Sequence, residues 1–446
     1  MKRLLFLLLN LLIASCAKEA VEIIPAQPFE RRDHSITLSD IKAYIAECKG
    51  VVGTKADKVS ILPYTVERDT LMYLVNYEEG WELLSADRRA PRVFAMSEKG
   101  HMDMGDFMDC PGMKALFDNF AANVSVLRQS PDMEVTTDYQ DNWNDVLPDR
   151  SLDTWQLVSI TVLPEIVSVQ THLTQTRWGQ GFPWNVRAPF SDSSLTTRCY
   201  TGCGPVAAAQ VLYYLHQTIG VPVNAYQESS TTAYVPGGSY LVLQPSDVQF
   251  DASTYSSTTW ENMPLTNSSQ NSYSGVSTLM LQQGLYIGAD YHPNGTFANA
   301  DNIVSAFQVN YSISSTGTWN VDFDIIAEQI ISENQPVILT ISFYDNNNVR
   351  QGHIVVVDAC KEHYVRIIKE YRRPIPVPYY LPGPEYEYKY EVIEEMTRYV
   401  GINWGWNGNY MTSDGEPVWF STDAISWNVG YVFTQLDYMI YGFHAQ

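Results

Sequence analysis

Charge is scarce in this chain of 446 residues, and basic charge is scarcest of all. Charged residues make up 17%, against a typical ~25%, and 28 Lys and Arg face 50 Asp and Glu for a net charge of −22. A surface so acidic excludes nucleic acid as a natural partner and favours solubility. Cysteine is also sparse. Six cysteines cannot frame a chain of this length with disulfides, and with Cys16 set aside an odd five remain, so at least one thiol is free or paired between chains. No His/Cys set has metal-ligand spacing, so neither metal nor cofactor is expected. Beyond the first residues there is no apolar run of about 18, so the remainder reads as soluble.

What is present begins with an export signal. Lys2 and Arg3 precede the apolar run Leu4 to Ile13, which is too short to span a bilayer, and Ala14-Ser15-Cys16 fits a cleavage site. The pattern resembles a bacterial lipoprotein signal. That resemblance implies residues 1–16 as signal, Cys16 as the candidate lipid site, and an exported protein tethered at the outer membrane or cell surface, or released after processing.

Residues 20–150 read as a separate small α+β unit. Ser39 can cap a helix whose face is Ile41, Tyr44, Ile45 and Cys48, and β-prone runs at 70–77, 80–87 and 91–97 are joined by turns such as Glu78-Glu79-Gly80. The Asp/Asn-rich segment 136–153 reads as a linker, with processing expected at 151–166, where exposed backbone can be cut without breaking a core. Residues 167–446 form the larger unit. Its Val337, Leu339, Ile341 and Phe343 alternate as a strand, and a helix with Val276, Leu279, Met280 and Gln283 on one face is expected to end at Gly284.

Chemistry concentrates in three stretches of that unit. In Gly202-Cys203-Gly204-Pro205 a thiol stands where an apolar helix begins, and unpaired N–H groups with the helix dipole favour thiolate there. Pro205 suits a first helical turn. Upstream, Trp178-Gly-Gln-Gly-Phe-Pro-Trp-Asn185 centres on Gln180, whose amide can stabilise a developing oxyanion. Downstream, Gly352-His353 opens the buried strand Ile354-Val-Val-Val-Asp358, which would hold the imidazole rigidly as a general base. Gly401-Ile-Asn403-Trp404-Gly-Trp-Asn-Gly408 then offers an asparagine to hold that imidazole by its second nitrogen, beneath water-excluding tryptophans. His292, in the loop 290–296, reads as a surface residue.

These stretches, in this order, resemble the streptopain family of cysteine peptidases, and Asn76 to Val93 resembles the inhibitory pro-segment that precedes such enzymes. The resemblance implies an α+β fold, with a papain-like peptidase domain behind a small α+β pro-domain that inhibits its own chain. It implies Cys203 as nucleophile, His353 as base, Asn403 orienting His353, Gln180 in the oxyanion hole, Trp404 lining the site, and protein or peptide substrates. Two features depart from it: Gly-Pro follows Cys203, where familiar members carry Val-Ala, and a Pro/Tyr-rich insertion, 361–397, separates His353 from Asn403 as an expected extended hairpin. Three other readings stay open: an inactive surface binding protein on this fold, a thiol-dependent acyltransferase, and a Cys199–Cys203 disulfide that silences the site.

Overall fold

The computed structural model describes residues 34–49, 58–133, 135, 143, 146, 147, 155–191, 196–220, 260–268, 273–291, 295–344, 350–375, 385–408, 417–427, 429 and 434–446. The signal segment, Cys16 and His292 lie outside them. From His34 to Gln446 the chain forms one compact unit.

Helix α1, Leu38–Cys48, is capped by Thr37 and not by Ser39: the Thr37 side chain and Asp40 form a reciprocal capping box that satisfies two otherwise orphaned N–H groups. Strands β1 (Ser60–Val66), β2 (Asp69–Asn76), β3 (Trp81–Ser85) and β4 (Val93–Ser97) form an antiparallel meander. Two helices follow, α2 (Met104–Asp109) and α3 (Pro111–Gln129), the latter starting on a proline that needs no N–H partner. The larger part contains β5 (Gln156–Gln170), α4 (Cys203–Ile219), α5 (Ser274–Tyr286), α6 (Asp301–Tyr311) and β6 (Ile313–Thr318). It continues through α7 (Phe323–Ala327, running on as a π turn to Ser332), β7 (Val337–Tyr344), β8 (Arg350–Ile375), β9 (Glu385–Asn403), β10 (Trp419–Ser421), α8 (Thr422–Ser426) and β11 (Thr434–Ala445).

Among the described residues the strands make one sheet in the order β1-β2-β3-β4-β10-β9-β8-β7-β11-β6, with β5 on β8. Strand β4 pairs with β10 (Met96 opposite Trp419), so the meander and the peptidase-like part share one sheet. They share a core too. Leu74, Phe94, Phe117 and Phe120 pack in one cluster with Val355, Val357, Trp404 and Phe420. The separate unit expected for 20–150 is therefore fused across an apolar seam.

Strand β8 organises the rest. Its residues alternate between faces, Ile354 and Val356 joining the cluster of α4, α5 and α6, and Val355 and Val357 the seam cluster. Its inner half pairs with β7, and beyond Cys360 the strand β5 takes over that edge while β9 follows the other. The insertion is thus the hairpin expected. Residues 156–166, expected as exposed linker, are strand instead, because the hairpin offers them an edge to pair with. The helix expected to stop at Gly284 continues to Tyr286: that glycine lets the Tyr291 hydroxyl approach the helix, where a Cβ would collide with it.

Candidate active site

Helix α4 begins at Cys203 because Gly202, at φ +96°, turns the chain there while Thr296 packs where a Cβ would otherwise sit. The three alanines 207–209 are buried, and Gly220 (φ +67°) closes the helix by donating its N–H to the His216 carbonyl. Cys203 is half-buried against His353, to which it is hydrogen-bonded. Burial alone would push the thiol up. The His353 charge and hydrogen bond, with the N–H groups of Ile354 and Gly204, outweigh it and hold Cys203 below the ordinary thiol range. His353 is raised in turn: burial opposes its charge, but the Cys203 thiolate and the Trp404 carbonyl favour it. The two titrate as a pair, poised toward thiolate and imidazolium.

His353 Nε2 lies 3.0 Å from the backbone oxygen of Trp404. A carbonyl only accepts, so Nε2 carries the proton and the neutral ring presents a bare Nδ1 to the sulfur. The Trp404 indole stacks near the imidazole at 6.0 Å and 23°. Asn403, expected to hold His353, makes no hydrogen bond to it. Its Nδ2 donates to Thr176 O (3.0 Å), Gln210 Oε1 (2.9 Å) and Thr174 Oγ1 (3.2 Å), and its Oδ1 accepts from Gly405 N (3.1 Å). The strand's alternation explains the correction. Neighbouring side chains point to opposite faces, so with Trp404 on the imidazole side Asn403 turns into the core beneath α4.

That asparagine is the hub of a buried polar node the motifs did not reveal. Thr176 Oγ1 also donates to Gln210 Oε1, and Thr174 N and Oγ1 both donate to Asp358, whose other oxygen lies 2.5 Å from His172 Nδ1. Asp358 is fully buried where β8 shifts register against β9. A carboxylate closing the apolar run 354–357 was the available signal, since a buried charge must find partners.

Gln180 is buried, and its backbone oxygen accepts from Thr201 N at 2.8 Å, which ties its loop two residues ahead of the thiol. Among the described residues no hydrogen bond occupies its side-chain amide. The loop is pinned to the Trp404 segment as well, through Asn407 N on Trp178 O (3.2 Å) and Trp184 Nε1 on Asn407 Oδ1 (2.5 Å). Cys48, Cys110, Cys199, Cys203 and Cys360 are all free, so Cys199 is not joined to Cys203.

A polarised thiol at a helix start, an imidazole held by a carbonyl, and a free amide donor nearby are the parts of a thiol-dependent acyl-transfer site. Comparison with known proteins agrees in class. The Peptidase C10 family model matches residues 178–412, more than half of the chain, and the chain belongs to that family of cysteine peptidases. Streptopain of Streptococcus pyogenes is 21% identical over 416 residues, covering 89% of this chain and 85% of its own. A solved fragment of Prevotella intermedia prointerpain A aligns at a TM-score of 0.49 and 19% identity over 86% of this chain and 99% of its own. Active interpain A of the same organism aligns at 0.40 and 21%, over 62% and 97%.

Proposed function

We propose that this chain is an exported cysteine endopeptidase made as a zymogen. The observation that carries the reading is Cys203 held below the thiol range by a His353 whose Nε2–H is committed to the Trp404 carbonyl. In this reading the Cys203 sulfur attacks the scissile carbonyl carbon, and the carbonyl electrons move to the oxygen. The N–H of Cys203, one of the helix-start donors without an intrahelical partner, and the Gln180 amide receive that oxyanion. Collapse breaks the C–N bond as Nδ1 of the imidazolium gives its proton to the leaving amine. Water, deprotonated by the same Nδ1, then releases the acid and restores the thiolate. The Trp404 carbonyl keeps the ring oriented throughout, and Asn403 acts by fixing the strand end that carries it.

Latency is the second half of the proposal, with residues up to about 150 as the inhibitory segment. It is supported by the β4–β10 pairing, by Arg92 on Glu395 (3.4 Å), by Glu98 on buried Lys361 (2.8 Å), and by the start of α3 against the Trp404 indole. Because 156–170 is strand, the activation cut belongs before residue 156. Export through the first 16 residues, with lipid on Cys16, completes the reading.

The test is incubation of the purified chain lacking the signal, with and without Cys203→Ala, followed by peptide hydrolysis assays and N-terminal sequencing of fragments. Hydrolysis and self-processing in the first chain only is the expected result. A chain that neither cuts peptides nor processes itself refutes the reading, and transfer to an added amine in preference to water would make it an acyltransferase.

A further inference from the structure

The hairpin inserted between His353 and Asn403 carries an open sheet edge. Strand β10 meets β9 only opposite Tyr399 to Gly401, so from Glu385 to Thr397 no backbone among the described residues pairs with the outer side of β9. An exposed edge is a template for another strand, and proteins commonly guard it with proline or bulges. The ribbon's other edge is guarded in that way: β5 carries Pro164 and shifts register against β8 twice, at Leu157/Ser159 and Ile166/Ser168. The β9 edge is not. Residues 385–397 contain neither proline nor glycine, and their register against β8 runs without a shift.

Alternation sorts the residues of this edge into two rows. One row is Tyr386, Tyr388, Tyr390 and Val392, with the last three 50%, 64% and 55% exposed. The other is Glu387, Lys389 and Glu391. Glu387 is held by Arg373 at 2.6 Å, and Glu391 accepts from the Tyr371 hydroxyl at 3.0 Å. Lys389 lies over the Trp155 and Tyr371 rings and has no carboxylate partner among the described residues. Two opposite charges thus stand two residues apart on an exposed edge, and no ion pair among the described residues neutralises either. A second copy of the chain, related by a two-fold axis at Tyr390, complements both rows at once. In that antiparallel pairing Tyr390 faces Tyr390 of the second copy, while Val392 faces Tyr388 and Lys389 faces Glu391, each of these two pairs occurring twice. An axis one residue away in either direction would set Lys389 or Glu391 against itself, so the charges select the register.

We propose that the outer edge of β9 is a self-association surface, on which two copies of this chain pair β9 with β9 into one continuous sheet. Tyr390 stands on the order of 40 Å along the strand from Asn403, so the pairing goes beyond the peptidase reading and holds whether or not the chain cuts peptides. The experiment is sedimentation velocity over micromolar concentrations, on the chain lacking its signal and carrying Cys203→Ala. A concentration-dependent equilibrium of monomer and dimer is expected. Lys389→Glu and Glu391→Lys each set like charges across both symmetric pairs, and each should weaken dimerisation about tenfold. The double swap should restore it, which also shows that the single variants fail by charge and not by misfolding. Tyr390→Cys should give a covalent dimer under mild oxidation, because directly opposed residues lie within disulfide range, whereas Val392→Cys, set against Tyr388, should not. A chain that stays monomeric throughout, a dimer indifferent to both charge swaps, or equal cross-linking at the two cysteines overturns the assignment.

Discussion

Gly112→Val tests whether the first half of the chain restrains the site through Trp404. A Cβ at Gly112 would lie 2.7 Å from indole Cζ3 and closer still to Cε3, whereas carbon atoms rest at about 3.5–4.0 Å. The indole has nowhere to go. It is 1% exposed, edge-on to Phe420 at 5.9 Å and stacked by His353, whose Nε2 its own backbone oxygen holds. The start of α3 must therefore move away, at the usual overpacking cost of about 1–3 kcal/mol. That weakens docking of the first unit, the inhibitory segment of the proposed reading, by roughly 5- to 150-fold. In a free helix the sign would be the reverse for the smaller variant, since Gly112→Ala gains about 0.5–1 kcal/mol of helix propensity. The assay is the lag before peptide hydrolysis begins, alongside thermal unfolding of both variants on a Cys203→Ala background. Shortened latency and a lowered melting temperature for Gly112→Ala as well as Gly112→Val are expected, with mature enzyme of unchanged kcat. Longer latency in either variant would refute the contact as the source of restraint.

Three further outcomes follow from the electrostatics and the buried node. Because the Cys203 pKa is lowered from 9.0 and that of His353 raised from 6.5, kcat/KM should follow a bell. The acid limb is protonation of the thiolate and the alkaline limb loss of the imidazolium, so Cys203→Ser should abolish the thiolate limb. At pH 7 iodoacetamide should label Cys203 first, since burial pushes Cys110 and Cys199 up to about 11 and Cys360 up to about 12; peptide mapping of the labelled chain checks this. Asn403→Ala orphans the buried Gly405 N–H and leaves the Gln210 amide oxygen with Thr176 Oγ1 as its remaining donor, which predicts a stability loss of about 1–3 kcal/mol by denaturant titration. A variant of normal stability that had lost only turnover would instead return Asn403 to direct contact with His353.

Much of the site was legible because it is local. A helix start, a strand mouth and a Gly-Trp turn each carry their signal within a few residues, and the structure brings Cys203, His353 and Trp404 together. Asn403 shows where that stops. The motif places an asparagine near a histidine, but which of two adjacent residues reaches the ring depends on strand phase and on a register shift at Asp358. The side-chain amide lost the contact to a main-chain oxygen, which no residue type announces. The seam was hidden for a similar reason. The helix Pro111–Gln129 lies beyond the β-prone runs, and its apolar face only acquires meaning once Trp404 and Phe420 stand opposite it.

The insertion connects these observations physically. Extending β8 and β9 past Cys360 gives 156–170 a strand edge, and the base of that ribbon, through Val365 and Ile367, joins the cluster of Ile41, Tyr44 and Trp143. The same hairpin therefore holds both ends of the first unit, its opening helix and the strand leading out of it. A single cut before β5 would leave β5 paired along 156–170 and α1 still seated on the ribbon, with the β4–β10 edge and the Gly112–Trp404 contact also in place. On the proposed zymogen reading, cleavage and release are then separate steps, the second governed by the ribbon. Shortening the hairpin beyond Ile368 should leave the catalytic pair untouched while speeding release of the cut segment, seen as earlier loss of co-purification on gel filtration. Unaltered retention would place the grip entirely at the Trp404 seam.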